Sequence, residues 1–169
     1  HGKHIKNKVI RSKFSTWKKN YRETFIKDWI KYAIAESKVS KIPPSIIVSQ
    51  AILESNWGVS MLAKKANNYF GHKYRGKNKN FIFAKDDSPN DKFTKYPSIW
   101  WCIRKHSKIL NGRYKKRLKG HKTNDWLEAL CGGLTIEESK QFVKKGNSVY
   151  ATSCFKRNPC YSEKLKRII

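Results

Sequence analysis

The sequence predicts a mostly α-helical domain of the α+β class, carrying one small β-hairpin lobe after its second and third helices. Three observations carry that expectation. Apolar residues recur at helical spacing from Tyr21 to Ile34, a turn-rich stretch interrupts the helical pattern over residues 71–92, and helix-capping residues precede each later amphipathic segment.

Residues 1–20 are basic and weakly patterned, expected as an extended N-terminal arm, with the domain proper at 21–169. Tyr21, Phe25, Ile26, Trp29, Ile30, Ala33 and Ile34 then define a helix running to about residue 37. Pro43 and Pro44 open a second helix, because proline's fixed φ and missing N–H suit a first turn. Its body is 45–55, stopped by Asn56-Trp57-Gly58, and a short helix follows at 60–66. Gly71, Gly76, Asn78, Asn80 and the run 86–90 supply turn chemistry around two apolar pieces, 81–83 and 93–96, which predicts an irregular β-hairpin. Ser98 is placed to cap a helix over 99–110, and Asn124 one through Leu130 that ends at Gly132-Gly133. Thr135-Ile-Glu-Glu138 is a capping-box pattern for a helix to about residue 145, and Ser162 precedes a last helix, 163–169.

The 169 residues fit one domain with material for a core: 38% are hydrophobic and 13% aromatic. No apolar run approaches the roughly 20 residues that span a bilayer. With 38 Lys and Arg against 12 Asp and Glu, the net charge of +26 favours polyanionic surroundings such as an anionic cell wall. It recurs along the whole length instead of forming one basic motif, which argues against a nucleic-acid binder. Cys102, Cys131, Cys154 and Cys160 allow three pairings. Spacing favours a small Cys154–Cys160 loop and a Cys102–Cys131 bridge. Without Cys-x-x-Cys or paired histidines at ligand spacing, no metal or other cofactor is expected. An even cysteine count in a small, wall-seeking chain points to an oxidising compartment. The opening His1-Gly-Lys-His4 shows no leader, so a removed signal or a tag remnant is expected there.

Of the 12 carboxylates, eleven sit in turns or on polar helix faces among lysines, where solvated ion pairing is the ordinary expectation. Glu54 differs, since it follows Ala51-Ile-Leu53 at the end of an apolar helix and precedes Trp57 by three residues. Such a setting desolvates a carboxyl group and raises its pKa, as a general acid near neutral pH requires.

The segment Ile42-Pro-Pro-Ser-Ile-Ile-Val-Ser-Gln-Ala-Ile-Leu-Glu-Ser-Asn-Trp-Gly58 resembles the glucosaminidases of glycoside hydrolase family seventy-three, peptidoglycan hydrolases that include autolysins. The resemblance continues through Ser60-Met-Leu-Ala63, Ala66-Asn-Asn-Tyr-Phe-Gly71, Asp86-Asp87, Lys92-Phe-Thr-Lys-Tyr-Pro-Ser98, Arg113-Tyr114, Tyr150-Ala-Thr152 and Tyr161-Ser-Glu-Lys-Leu165, covering 36–169 in order. It implies a lysozyme-like fold, and lysozyme sets its acidic Glu against a Trp in just this way. It also implies Glu54 as catalytic acid, Tyr150 beside it, and Trp57, Asn68, Phe70 and Tyr114 along the sugar groove. Relatives place a second carboxylate in the β-lobe, which here makes Asp87 the catalytic partner expected and Asp86 a substrate-binding neighbour. The chain departs from the family by about fourteen extra residues between Gly133 and Tyr150, and by an enlarged loop, Cys154–Cys160.

The function expected is hydrolysis of the β-1,4 bond after N-acetylglucosamine in peptidoglycan by a secreted, periplasmic or wall-associated protein of bacterial or phage origin, acting as a monomer. Two alternatives stand beside it: a lytic transglycosylase or muramidase on the same scaffold, and a cationic module binding wall or nucleic acid with weak or no catalysis.

Overall fold

The computed structural model describes residues 2–169, with side chains for residue 13 and residues 15–169. Helices α1 (Gly2–Ser40), α2 (Pro44–Ser55) and α3 (Met61–Ala66) precede a two-stranded sheet, β1 (Phe81–Ala84) and β2 (Asp91–Thr94). Helices α4 (Ile99–Tyr114), α5 (Thr123–Cys131), α6 (Ile136–Lys144), α7 (Ser153–Lys156) and α8 (Tyr161–Ile168) complete the chain. The mostly helical architecture with a small antiparallel lobe is the one the sequence predicts. His1, raised above as a processed or tagged end, lies outside the described residues.

Helix α2 is the centre of the core. Ile46, Ile47, Val48, Ala51 and Ile52 are buried, and the helix packs against α1, α5 and α8. Truncating one such isoleucine to alanine removes about 2–5 kcal/mol. Pro44 stands in the first turn as expected. Helix α1 presents Phe25, Trp29, Ala33, Glu36 and Ser40 to this core, a narrower stripe than the apolar pattern implied, because Ile26 and Ile34 are exposed. Among the described residues, no helix is long and apolar enough to cross a membrane.

Several expectations are corrected. The expected extended arm at 1–20 is helical from Gly2 onward, continuous with the rest of α1. Glu36, read as a solvated surface acid, is 1% exposed and accepts a 2.9 Å bond from Arg104 Nε, pinning α1 to α4. Helix α4 runs on to Tyr114, where Asn111 Nδ2 donates to Ser40 O at the end of α1. Helix α5 begins one residue ahead of Asn124, as Asp125 takes the Lys122 N–H at 3.0 Å. Ser162 lies inside α8, not before it, and its hydroxyl donates to Gly133 O. The caps at Ser98 and Thr135 form as read, accepting from Trp101 N and Glu138 N.

The cysteine pairing is also corrected: Cys131 and Cys154 are bridged, with Cα atoms 5.4 Å apart, while Cys102 and Cys160 are free and buried. Cys102 sits on α4 in the core, where burial pushes its thiol up to about 12. The bridge ties the end of α5 to α7 across 23 residues, a closure of about 3 kcal/mol in chain entropy. Beside the bridge, Tyr150 N donates to Leu130 O at 2.8 Å. The turn out of α5 needs Gly132: its φ is +69°, and a Cβ there would collide with the Phe142 ring of α6.

Candidate active site

Glu54 is the next-to-last residue of α2, at the negative end of the helix dipole. The chain turns sharply after it. Asn56, Trp57 and Gly58 all have positive φ (49°, 59° and 76°), and Ser55 locks the turn by accepting from Gly58 N at 2.8 Å while donating to Ala51 O. Asparagine and glycine adopt this conformation readily, whereas a bulky tryptophan does not. Gly58 is required on a second count, since a Cβ would lie 3.0 Å from Phe25 and 3.2 Å from Tyr69. This turn directs Trp57 toward α1, edge-on to Phe25 and beneath the Arg22 guanidinium.

A groove of about 690 Å³ opens beside Glu54. It is lined by Phe70, His72, Tyr96, His106 and Tyr150 near the carboxyl, and by Lys73, Arg75, Lys105 and Arg113 further out. Among the described residues that line it, Glu54 is the one carboxylate. Solvent reaches Glu54 from the groove, but protein crowds it from behind, and this desolvation raises its pKa above the ordinary carboxylate value. A 3.0 Å hydrogen bond from Tyr161 to Oε1 and the charge of Lys164 pull the other way without cancelling the rise. Tyr150 is pushed well above a phenol's usual range, first by burial and next by the Glu54 charge, so its hydroxyl stays protonated, and it shares a hydrogen bond with Tyr161.

The expected site residues divide into two groups. Glu54, Phe70 and Tyr150 come together at the groove. Tyr114 is buried behind Tyr150, its ring 6.2 Å away and stacked under Arg117, and it does not line the groove. Trp57 lies on the α1 side, as described. Asn68 is 1% exposed, and its amide is spent on backbone: Nδ2 donates to His72 O and Thr94 O, and Oδ1 accepts from His72 N, all at 2.9 Å. Its work is to fasten the loop that carries His72 to β2. Asp86 and Asp87 sit at the hairpin turn with Asp91 and do not themselves line the groove; they are clasped around Lys73, one of its lining residues, at 3.2, 2.7 and 3.7 Å. That clasp raises the Lys73 pKa, mainly through its bonds to Asp87 and Asp86. These three acids are also the one His, Cys, Asp and Glu cluster among the described residues compact enough for a metal ion, and Lys73 already supplies its cation.

Two residues escaped the sequence reading, His72 and His106. His106 is buried with its ring stacked 3.6 Å from that of Phe70, and its Nδ1 faces His72 Nε2 at 3.0 Å. No spacing signal joins residues 34 positions apart.

A carboxyl group with a raised pKa, one oxygen held by Tyr161, at the wall of a groove of this size is an arrangement suited to protonating a glycosidic oxygen. The comparisons agree: residues 30–169 match the family described as glucosaminidase, mannosyl-glycoprotein endo-β-N-acetylglucosaminidase, and the chain belongs to that family. Its sequence is 29% identical over 133 residues to the exo-glucosaminidase LytG of Bacillus subtilis, covering 75% of this chain but 43% of LytG. The chain thus spans less than half the length of that relative. In structure it is similar to the catalytic domain of the autolysin Auto from Listeria monocytogenes, with TM-score 0.60, 28% identity, and 88% and 82% of the two chains covered. The glycoside hydrolase domain of FlgJ from Salmonella typhimurium shares the fold at TM-score 0.61 and 24% identity, over 87% and 85% of the chains.

Proposed function

We propose that this domain hydrolyses peptidoglycan glycan strands at the β-1,4 bond after N-acetylglucosamine, with Glu54 as general acid. The observation that carries the reading is Glu54 itself, the one groove-lining carboxyl among the described residues, with its protonated form favoured by burial. Glu54 gives its proton to the glycosidic oxygen as the bond to the anomeric carbon breaks. Lysozyme uses a desolvated Glu for the same task. Among the described residues no second carboxylate lines the groove, and Asp87 is held by Lys73. The developing positive charge at the anomeric carbon is therefore met by the substrate's own 2-acetamido oxygen, which Tyr150, lining the same groove as Glu54, helps to orient. This route retains the anomeric configuration, whereas direct attack by water inverts it.

Substrate choice follows from the groove's charge. Among the described residues, Arg75, Lys105 and Arg113 have no acidic partner, so they are available to the carboxylates of peptide stems and to anionic wall polymers. A net charge of +26 concentrates the protein on such surfaces, an attraction that salt weakens. Together with the disulfide, this supports action outside the cytoplasm, at the cell wall. Digestion of purified peptidoglycan followed by mass spectrometry tests the reading. Reducing N-acetylglucosamine ends are expected, and Glu54→Gln should abolish their release. Ends of 1,6-anhydro-muramic type would make the protein a lytic transglycosylase, and uncut strands that nonetheless retain the protein would make it a binding module.

A further inference from the structure

Glu54 terminates a chain of side-chain hydrogen bonds that crosses the domain. Tyr161 Oη lies 3.0 Å from Glu54 Oε1, and Gln50 Nε2 lies 3.1 Å from Tyr161 Oη. His106 Nε2 is 2.8 Å from Gln50 Oε1, His72 Nε2 is 3.0 Å from His106 Nδ1, and Tyr96 Oη is 2.7 Å from His72 Nδ1. We infer that Tyr96, His72, His106, Gln50 and Tyr161 form a one-way hydrogen-bond relay that fixes which oxygen of Glu54 carries the catalytic proton. The inference rests on Glu54 being the general acid.

The direction follows from valence alone. Gln50 donates through its amide nitrogen to Tyr161, so its carbonyl oxygen must accept, and His106 Nε2 carries the hydrogen that fills it. A neutral imidazole has one donor and one acceptor. His106 Nδ1 is therefore an acceptor, His72 Nε2–H supplies it, and His72 Nδ1 in turn accepts from the Tyr96 hydroxyl. Every hydrogen points toward Glu54. Tyr161 O–H then occupies the Oε1 lone pair, leaving Oε2, which has no hydrogen bond among the described residues, as the oxygen protonated on the groove side. Reversing the relay requires turning the Gln50 amide over and changing the tautomer of both rings.

The surroundings keep both rings neutral, which the relay needs because an imidazolium has no acceptor to pass on. His106 is buried, with His72 and the Tyr150 ring as its titratable neighbours, and burial, followed by the His72 charge, depresses its pKa well below the usual value. His72 is depressed to about 4, first by burial and then by Lys105 and Arg113 of α4. At the far end Thr94 bonds the Tyr96 hydroxyl, and at the near end Tyr150, Tyr161 and Lys164 face Glu54. His72, His106, Gln50 and Tyr161 are positioning residues that act through Glu54.

Nitrogen-15 NMR of the histidine rings and carbon-13 NMR of the Glu54 carboxyl test this on the intact domain. At neutral pH both rings should be neutral with hydrogen on Nε2; hydrogen on Nδ1, or an imidazolium, overturns the relay. His106→Phe keeps the stack on Phe70 but frees Gln50 to turn over and draw the Tyr161 hydrogen away from Glu54. Losing a hydrogen bond to the ionised form should raise the Glu54 pKa by about half to one unit. The alkaline limb of the pH–rate profile should move with it, and kcat should fall about tenfold at little changed KM. His106→Gln, which again offers one donor and one acceptor, should restore both. An unmoved Glu54 titration in His106→Phe, or no recovery in His106→Gln, defeats the relay. If Glu54→Gln still cleaves the strands, the general-acid reading has failed instead; the ring tautomers then stand as a separate result.

Discussion

The α2 and α8 side of the groove and the hairpin lobe both carry acids, in settings that differ at every level. Glu54 stands at a helix end with its backbone turn locked by Ser55 and its carboxyl crowded by protein, one oxygen bonded to a buried tyrosine. Asp86 and Asp87 lie in a loop where solvent is plentiful, Asp87 with a side chain 84% exposed, Asp91 opens β2 beside them, and all three share one lysine. A carboxylate in the first setting is held in one place with its neutral form favoured. In the second it is paired with a lysine that already answers its charge. Carboxyl groups alone do not make a catalytic pair; desolvation and fixed geometry distinguish them, and in this conformation only one side of the groove supplies both.

The largest effect should come from breaking the helical side. Glu54→Gln keeps the shape and the contact with Tyr161 but removes the transferable proton, so kcat/KM on peptidoglycan should fall about 10²–10⁴-fold, the usual worth of general acid catalysis. Because solvent already reaches this side chain, the melting temperature should hold or rise. A variant that loses its fold together with its activity would mean Glu54 is a structural residue after all.

Next in size is the tie beneath that wall. Arg104→Met leaves Glu36 buried without its cation, at a cost of about 3 kcal/mol, the low end for breaking such a pair because Arg104 keeps part of its side chain in water. Urea denaturation measures it. An unchanged midpoint would show that water already satisfies Glu36 and that α1 is not fastened to α4 through this pair.

What was legible in the sequence follows the same division. The stretch Gln50–Gly58 could be read because its chemistry is local: helix period, proline start, and a turn of serine, asparagine and glycine. The side on which Trp57 lies could not, as three successive left-handed residues swing it toward α1. Glu36 was misread because a polar residue inside an amphipathic helix reads as solvated until Arg104, 68 positions away, is seen beside it. The cysteine pairing is likewise a matter of tertiary distance, and the short loop that spacing favoured lost to Cys131 and Cys154, whose Cα atoms the fold brings to 5.4 Å. The two histidines of the relay give no local sign at all. Asn68 shows the converse, a motif residue whose position was noticed but whose amide is consumed in holding backbone.

His72 joins the two sides, and its titration measures how far the helical side excludes charge. In the unfolded chain it takes a proton near pH 6.5, while in the fold it resists until about 4. Between those values the unfolded state binds more protons, so stability falls as pH drops through this window, by on the order of 3 kcal/mol from this group at full effect. Above pH 6.5 it contributes no such loss. The difference in unfolding free energy between pH 7 and pH 4.5 should therefore be smaller in His72→Gln than in the parent. An equal difference in both would place His72 in water rather than in the groove wall.

The smallest effect should come from the hairpin. Asp87→Asn removes one of three acids around Lys73, and Asp86 and Asp91 remain within 4 Å to hold that ammonium. Exposed ion pairs of this kind contribute little to stability, so the melting temperature should stay within error, and kcat on peptidoglycan should change by less than about threefold. That outcome would locate the catalytic machinery on the helical side and leave the hairpin as a wall of the groove. A loss of a hundredfold or more would mean that the substrate draws Lys73 away and releases Asp87 as Glu54's partner. The separation of the two carboxyls in the bound state would then decide between an inverting and a retaining reaction. Salt sharpens the distinction, because a lysine redirected to an anionic substrate makes the Asp87 effect depend on ionic strength, and an idle turn acid does not.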